Sequence, residues 1–192
     1  MRSIIIILGV LLLSANTPVQ DHIEYDNRML EKTLKKADLP FEQWKELEIN
    51  SPAVQEHELR GKFFTNPDGV QAGEYAYLYV GRVFSCRAGG CSAAGPADNE
   101  DISGEYFDYF MLFDAQATIQ EIRVFNYQAT HGHEVSARGW LKQFIGHRSP
   151  EKLEVEKNID AISGATISVY ALTHDVDLMT ELLGGLVEKS EI

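Results

Sequence analysis

Three runs of alternating, aromatic-rich residues constrain this chain most: YAYLYVGRVFS (75–85), YFDYFMLFD (Tyr106–Asp114) and IQEIRVFNYQ (Ile119–Gln128). Aromatic and β-branched side chains recurring with a period of two fit pleated strands. The five residues DAQAT between the second and third runs are enough for a short hairpin, so those strands pair antiparallel. A long glycine-rich stretch, from Cys86 to about Gly104, separates the first two. A connection of that length in a compact domain is either functional or mobile.

Helical periodicity brackets the strands. In IEYDNRMLEKTLKKADL, Ile23, Met29 or Leu30, and Leu34 fall on one side, and Pro40 then opens PFEQWKELEI as a second short segment with proline at its first helical position. Pro52, Pro67, Gly69 and Gly73 punctuate the passage into the strands. Beyond the third strand, Ala137–Ile145 reads as a short helix with Trp140, Leu141, Phe144 and Ile145 facing inward, closed by Gly146 and Pro150. EKLEVEKNI follows as a linker, with a strand as the other reading. The last helix should run from about Ala165 to Lys189: Leu172, Val176, Met179, Leu183 and Leu186 recur at helical spacing, while Asp175, Asp177, Glu181 and Glu188 take other positions. The fold class is therefore α+β, an antiparallel sheet with flanking helices, an N-terminal helical arm and a long C-terminal helix. Residues 16–73 form the arm and its linker, and 74–192 the main domain. No internal repeat is visible, which sets solenoids aside.

At 192 residues and 44% apolar, the chain has material for a real core. Its formal charge of −12 argues against nucleic acid or an anionic membrane surface as a partner, because no cationic stripe exists to release counterions. The start, MRSIIIILGVLLLSANTPVQ, joins one positive charge at Arg2 to the apolar run Ile4–Leu13 and then to small and polar residues. That run is too short to span a bilayer and suits a signal peptide over residues 1–15, cleaved after Ala15. The imperfect small-x-small site leaves an uncleaved anchor as the alternative. Either way the expected location is outside the cytoplasm, in the periplasm or at the envelope. Nothing in residues 16–192 is long and apolar enough to span a bilayer.

Export changes how Cys86 and Cys91 are read. The segment SCRAGGCS spaces them C-x4-C, and Gly89 and Gly90 make that loop easy to close, so a disulfide is plausible in an oxidising compartment. A loop so short constrains the unfolded chain little, and a local staple is the plainer reading. A redox pair beside another redox centre is the sharper one, and requires exposure and a lowered thiol pKa. Haem attachment through C-x-x-C-H is absent.

The segment DAISGATIS, beginning at Asp160, opens the last helix with almost no bulk. Ser163 is a natural N-cap, and Gly164 and Ala165 leave the first turn uncluttered around Thr166. A plain cap would explain this much. An unhindered hydroxyl in the first turn also lies beside unsatisfied backbone N–H groups, at the helix end that favours a phosphate. Absence of bulk at 164 and 165 would let another protein's active site reach Thr166.

DAISGATIS resembles the flavin-attachment motif of FMN-binding domains related to the NqrC and RnfG subunits of ion-translocating redox complexes. GHEVSARGWLKQFIG (Gly132–Gly146) is similar to the segment that precedes the motif in smaller exported members of that family. The resemblance implies FMN as cofactor, held on the motif threonine by a phosphoester that an ApbE-type, Mg-dependent transferase installs from FAD. Asp160, Ser163, Gly164, Ala165, Thr166 and Ser168 fall on the motif, with Thr166 as the attachment site. Val169 departs from it, where a second small polar residue is expected. Residues 21–60 and the cysteine loop have no counterpart in the resemblance.

A tethered flavin ring needs a mostly apolar slot with a few polar groups. The candidates are His131, His133 and Glu134 in ATHGHEV, with Trp140 and Phe144 as walls. Trp140 and Phe144 read equally well as core. His131 and His133 alone make a poor metal site, so no metal is expected. The functional expectation is an exported flavoprotein transferring electrons between a membrane or envelope donor and an acceptor, with membrane-bound redox partners. No nicotinamide fingerprint is present. A flavin-dependent reductase of a small molecule, and a binding module in which Ser163–Thr166 is only a cap, stand as alternatives.

Overall fold

The computed structural model describes residues 22–49, 59–66, 75–85, 105–189 and 192. The expected signal peptide and the Cys86 and Cys91 pair lie outside them. Five strands form one antiparallel sheet in the order β1-β2-β3-β4-β5, namely Lys45–Glu46, Gly61–Thr65, Tyr77–Phe84, Tyr106–Phe113 and Ile119–Phe125. The three aromatic runs become β3, β4 and β5. The register of β3 on β4 runs from Tyr77 opposite Phe113 to Phe84 opposite Tyr106.

Side chains alternate across a strand, so the composition of each parity decides what must cover each face. In β3 and β4 both parities are apolar. Tyr77, Tyr79, Val83, Phe107, Tyr109, Met111 and Phe113 face one core, which the C-terminal half of the chain completes. Leu78, Val80, Phe110 and Leu112 face a second core, completed by Ile23, Leu30, Leu34 and Trp44. Helix α1 (Arg28–Lys36) belongs to this second layer, and Asn27 caps it through its side-chain oxygen to the N–H groups of Met29 and Leu30. Helices α2 (Arg138–Leu141) and α3 (Thr166–Glu188) belong to the first.

The N-terminal arm is helical only in part. Pro40 does not begin a helix; a 3-10 turn at Phe41–Gln43 follows it, and the chain then pairs as β1 with β2. Phe41 and Trp44 explain this, because both pack on the sheet, Phe41 with its ring 5.5 Å from that of Phe64. Burying two aromatic side chains outweighs a helix too short to be stable alone. Ile145 was expected inward and is 41% exposed, since the tighter 3-10 turn Lys142–Phe144 ends the helical run before it. EKLEVEKNI contains no strand. Asn158 holds it as a turn, accepting from the Glu154 N–H at 2.7 Å and donating to the Lys152 carbonyl at 2.8 Å. The DAQAT hairpin forms as expected, with Asp114 accepting from the N–H groups of Gln116 and Thr118, both at 2.9 Å.

Helix α3 carries the expected apolar row, and Leu172, Val176, Met179, Leu183 and Leu186 are all buried. Three of its acidic residues, Asp175, Asp177 and Glu181, are ties, and Glu188 is exposed. Tyr109 donates from its hydroxyl to Asp175 at 2.6 Å, and the Leu153 N–H donates to Asp177 at 3.0 Å. Lys152 bridges Asp177 and Glu181. Burial raises the Asp175 carboxyl to about 6, against the lowering effect of the Tyr109 hydroxyl. On the other face, Arg82 and Asp108 are direct cross-strand partners and form a buried pair, Nε to Oδ1 at 2.7 Å and Nη2 to Oδ2 at 3.2 Å. Asn126 adds a third donor to Asp108 at 2.7 Å.

Two measurements check these contacts. Asp175 has a folded pKa above its unfolded one, so its contribution is present at low pH and lost as pH rises from about 4 through about 6. Asp175→Asn keeps an acceptor for Tyr109, and denaturant unfolding should show it more stable than the parent by about 1–2 kcal/mol at pH 7, with the difference shrinking toward pH 4. Asp108→Ala removes the carboxylate that balances the buried Arg82 charge and should cost about 3–5 kcal/mol in the same assay.

Candidate functional site

The first turn of α3 differs from its sequence expectation in one respect. Ser163 is not the cap. Ala165 occupies that position, with φ −119° and ψ 16°, and no side chain bonds the helix start. A turn closed by the Ala165 N–H on the Ile162 carbonyl at 3.1 Å, with Gly164 at φ +84°, brings the chain into the helix two residues after Ser163. Only glycine adopts that φ without strain. The first intrahelical bond runs from the Val169 N–H to the Ala165 carbonyl at 2.9 Å. The N–H groups of Thr166, Ile167 and Ser168 are therefore the unsatisfied donors of the helix end.

The helical period sorts the motif into two faces. Ala165, Ser168 and Val169 are buried, whereas Ser163, Gly164, Thr166 and Ile167 are exposed. A Cβ placed on Gly164 would meet nothing within 4 Å, so the space above the turn is open. The Thr166 hydroxyl has no hydrogen-bond partner among the described residues.

Ser168 joins this turn to the rest of the sheet. Its hydroxyl lies 2.9 Å from that of Ser85, at the end of β3, and 3.2 Å from that of Tyr127, just past β5. Burial holds the Tyr127 phenol above its ordinary pKa, so it stays protonated, and it donates its proton to the His131 carbonyl at 2.7 Å. Toward Ser168, Tyr127 is then the acceptor. The Tyr127 ring stacks on Phe107, centroids 5.2 Å apart and planes 8° apart, and meets the His133 ring edge-on at 5.0 Å. Gly132, at φ +84°, brings its backbone so close that a Cβ there would lie 2.4 Å from the Ser168 hydroxyl. The His131–Glu134 segment is thus fastened against the helix start, with His131, His133 and Glu134 exposed.

Trp140 and Phe144 lie in the core, edge to face at 5.2 Å, with Phe144 fully buried and Trp140 nearly so. The Trp140 indole N–H donates to the Asp160 carbonyl at 2.8 Å, and the Asp160 N–H donates to Gln143 at 2.8 Å. These residues fix the chain entering the motif and leave little aromatic surface for a ligand. The Asp160 side chain itself is exposed. Among the described residues, no three His, Cys, Asp or Glu side chains gather as a metal would require. Tyr127, Ser85 and Gln143 were not anticipated as site residues.

Residues 105–179 match the family model of the FMN-binding domain. The matched span includes Tyr127, the Gly132 turn and the whole Asp160–Ser168 motif. No curated protein and no solved structure matches the chain.

Gly132→Ala tests the fastening of the turn. It forces a side chain into a left-handed backbone and against Ser168, and should lower stability by about 2 kcal/mol, read as a fall in the thermal midpoint.

Proposed function

With residues 105–179 forming an FMN-binding domain, we propose that FMN is held covalently on Thr166 through its phosphate and that the protein is an exported electron carrier. It would serve a membrane or envelope donor and an acceptor protein. The observation that carries the attachment is the exposed, unpartnered Thr166 hydroxyl at the first residue of a 23-residue helix whose end no side chain caps.

The residues present fit such a group. A phosphate on Thr166 would take the place of the missing cap, accepting from the free N–H groups of the first turn at the positive end of the helix dipole. The first turn has no acidic side chain to repel it. Installation from FAD by an ApbE-type transferase breaks the phosphoanhydride and forms a phosphoester, releasing AMP and the hydroxyl proton. That enzyme must reach the oxygen, and Ser163, Gly164 and Thr166 are exposed together. His131, His133 and Glu134 are exposed polar groups on the turn fastened against the helix start. Bound FMN supplies one-electron and two-electron redox chemistry.

Exposure also favours a carrier, because electrons pass between proteins only where the cofactor can be approached. The apolar run Ile4–Leu13 supports export, where a covalent bond keeps the flavin from being lost. Among the described residues no helix is long and apolar enough to cross a membrane.

Intact mass and the visible spectrum of denatured, desalted protein, co-expressed with an ApbE-type transferase, test the attachment. The wild type should be yellow and heavier by one FMN residue, that is FMN less one water, and Thr166→Ala colourless and unmodified. Unmodified wild type, with a transferase active on another substrate, would return the motif to a helix start without a cofactor.

A further inference from the structure

We propose that Tyr170 is the platform on which the flavin ring stacks, with Ile167 as its flank; this rests on attachment at Thr166. Ile167 and Tyr170 are 47% and 49% exposed, two large apolar side chains on the first turns of a helix that buries its other bulky residues well. Tyr170 makes no ring contact and no hydrogen bond among the described residues. Neighbouring exposed hydrophobic side chains beside a reactive position mark a surface that something covers.

The covering group follows from position. Thr166 and Tyr170 are related as i and i+4, so they lie on the same helix face about 6 Å apart along the axis. Helical side chains lean toward the N-terminus, which carries the Tyr170 ring back over the turn that bears Thr166. A ring joined to Thr166 through a ribityl phosphate therefore reaches Tyr170 by folding along the helix. Other aromatic rings near the motif are already engaged. Phe107 and Tyr127 stack on each other, Trp140 and Phe144 are in the core, and the His133 ring meets Tyr127. Aromatic pairs favour offset stacking, and a half-exposed phenol with no ring partner is open to that arrangement.

Flavin fluorescence reads this contact directly, because a phenol stacked on an excited flavin donates an electron to it and quenches emission. Flavinylated full-length wild type, Tyr170→Ala and Tyr170→Phe would be compared at equal flavin content, with intact mass measured on each. The native wild type should be quenched relative to its denatured form. Both variants should gain emission by about threefold or more. Tyr170→Phe should keep the visible band shape of the wild type, since its ring still stacks, and Tyr170→Ala should shift toward free flavin. Fully loaded variants as dim as the wild type would overturn the assignment. Should Tyr170→Ala load poorly, Tyr170→Phe alone decides it. Absence of the added mass in the wild type would instead condemn the attachment on which it rests.

Discussion

A sheet whose central strands are apolar on both faces must be covered on both, and the rest of this fold answers that requirement. β3 and β4 send tyrosine, phenylalanine and methionine to one side and leucine, valine and phenylalanine to the other. Neither layer alone satisfies them. The N-terminal arm closes one side and α3 the other, so the helix that bears Thr166 is in place because Tyr77, Tyr79, Tyr109 and Met111 need a lid. Register matters equally, since a one-residue slip would send each side chain to the opposite layer. Arg82 opposite Asp108 guards against that slip, because another pairing would separate a buried guanidinium from its buried carboxylate.

What could be read from the chain divides along the same physical line. Long periodic segments declare themselves, and β3, β4, β5 and α3 lie within a few residues of where periodicity puts them. The two strands of the arm do not. Lys45–Glu46 has no pattern to recognise, and Gly61–Thr65 offers barely two alternations; pairing with a neighbour decides both. Pro40 followed by PFEQW is a fair helix start until Phe41 and Trp44 find the sheet.

At the site, the motif was legible and its surroundings were not. S-G-A-T contains two ways of entering a helix, and the left-handed φ of Gly164 chooses the later one. Trp140 and Phe144, four residues apart, have the same spacing whether they line a pocket or fill a core; burial in the main apolar cluster makes them core. Tyr127 and Ser85 stand 41 and 83 residues from Ser168, and no local pattern announces a contact across such separations. The end of β5 and the end of β3 meet the helix start only once the sheet exists.

The ties along α3 are unevenly distributed. Asp175, Asp177 and Glu181 bind it to Tyr109, Leu153 and Lys152, all beyond its second turn. The first two turns are held by packing instead, with Ala165, Val169, Leu172 and Thr173 buried and the Ser168 hydroxyl bonded to Ser85 and Tyr127. The helix is thus held by polar ties along its middle and by apolar packing at its start, with Thr166 on the exposed face of the first turn. Because Ser163, Gly164 and Thr166 are exposed while Ala165, Ser168 and Val169 are buried, a group held at the first turn would leave the packed face of the helix undisturbed.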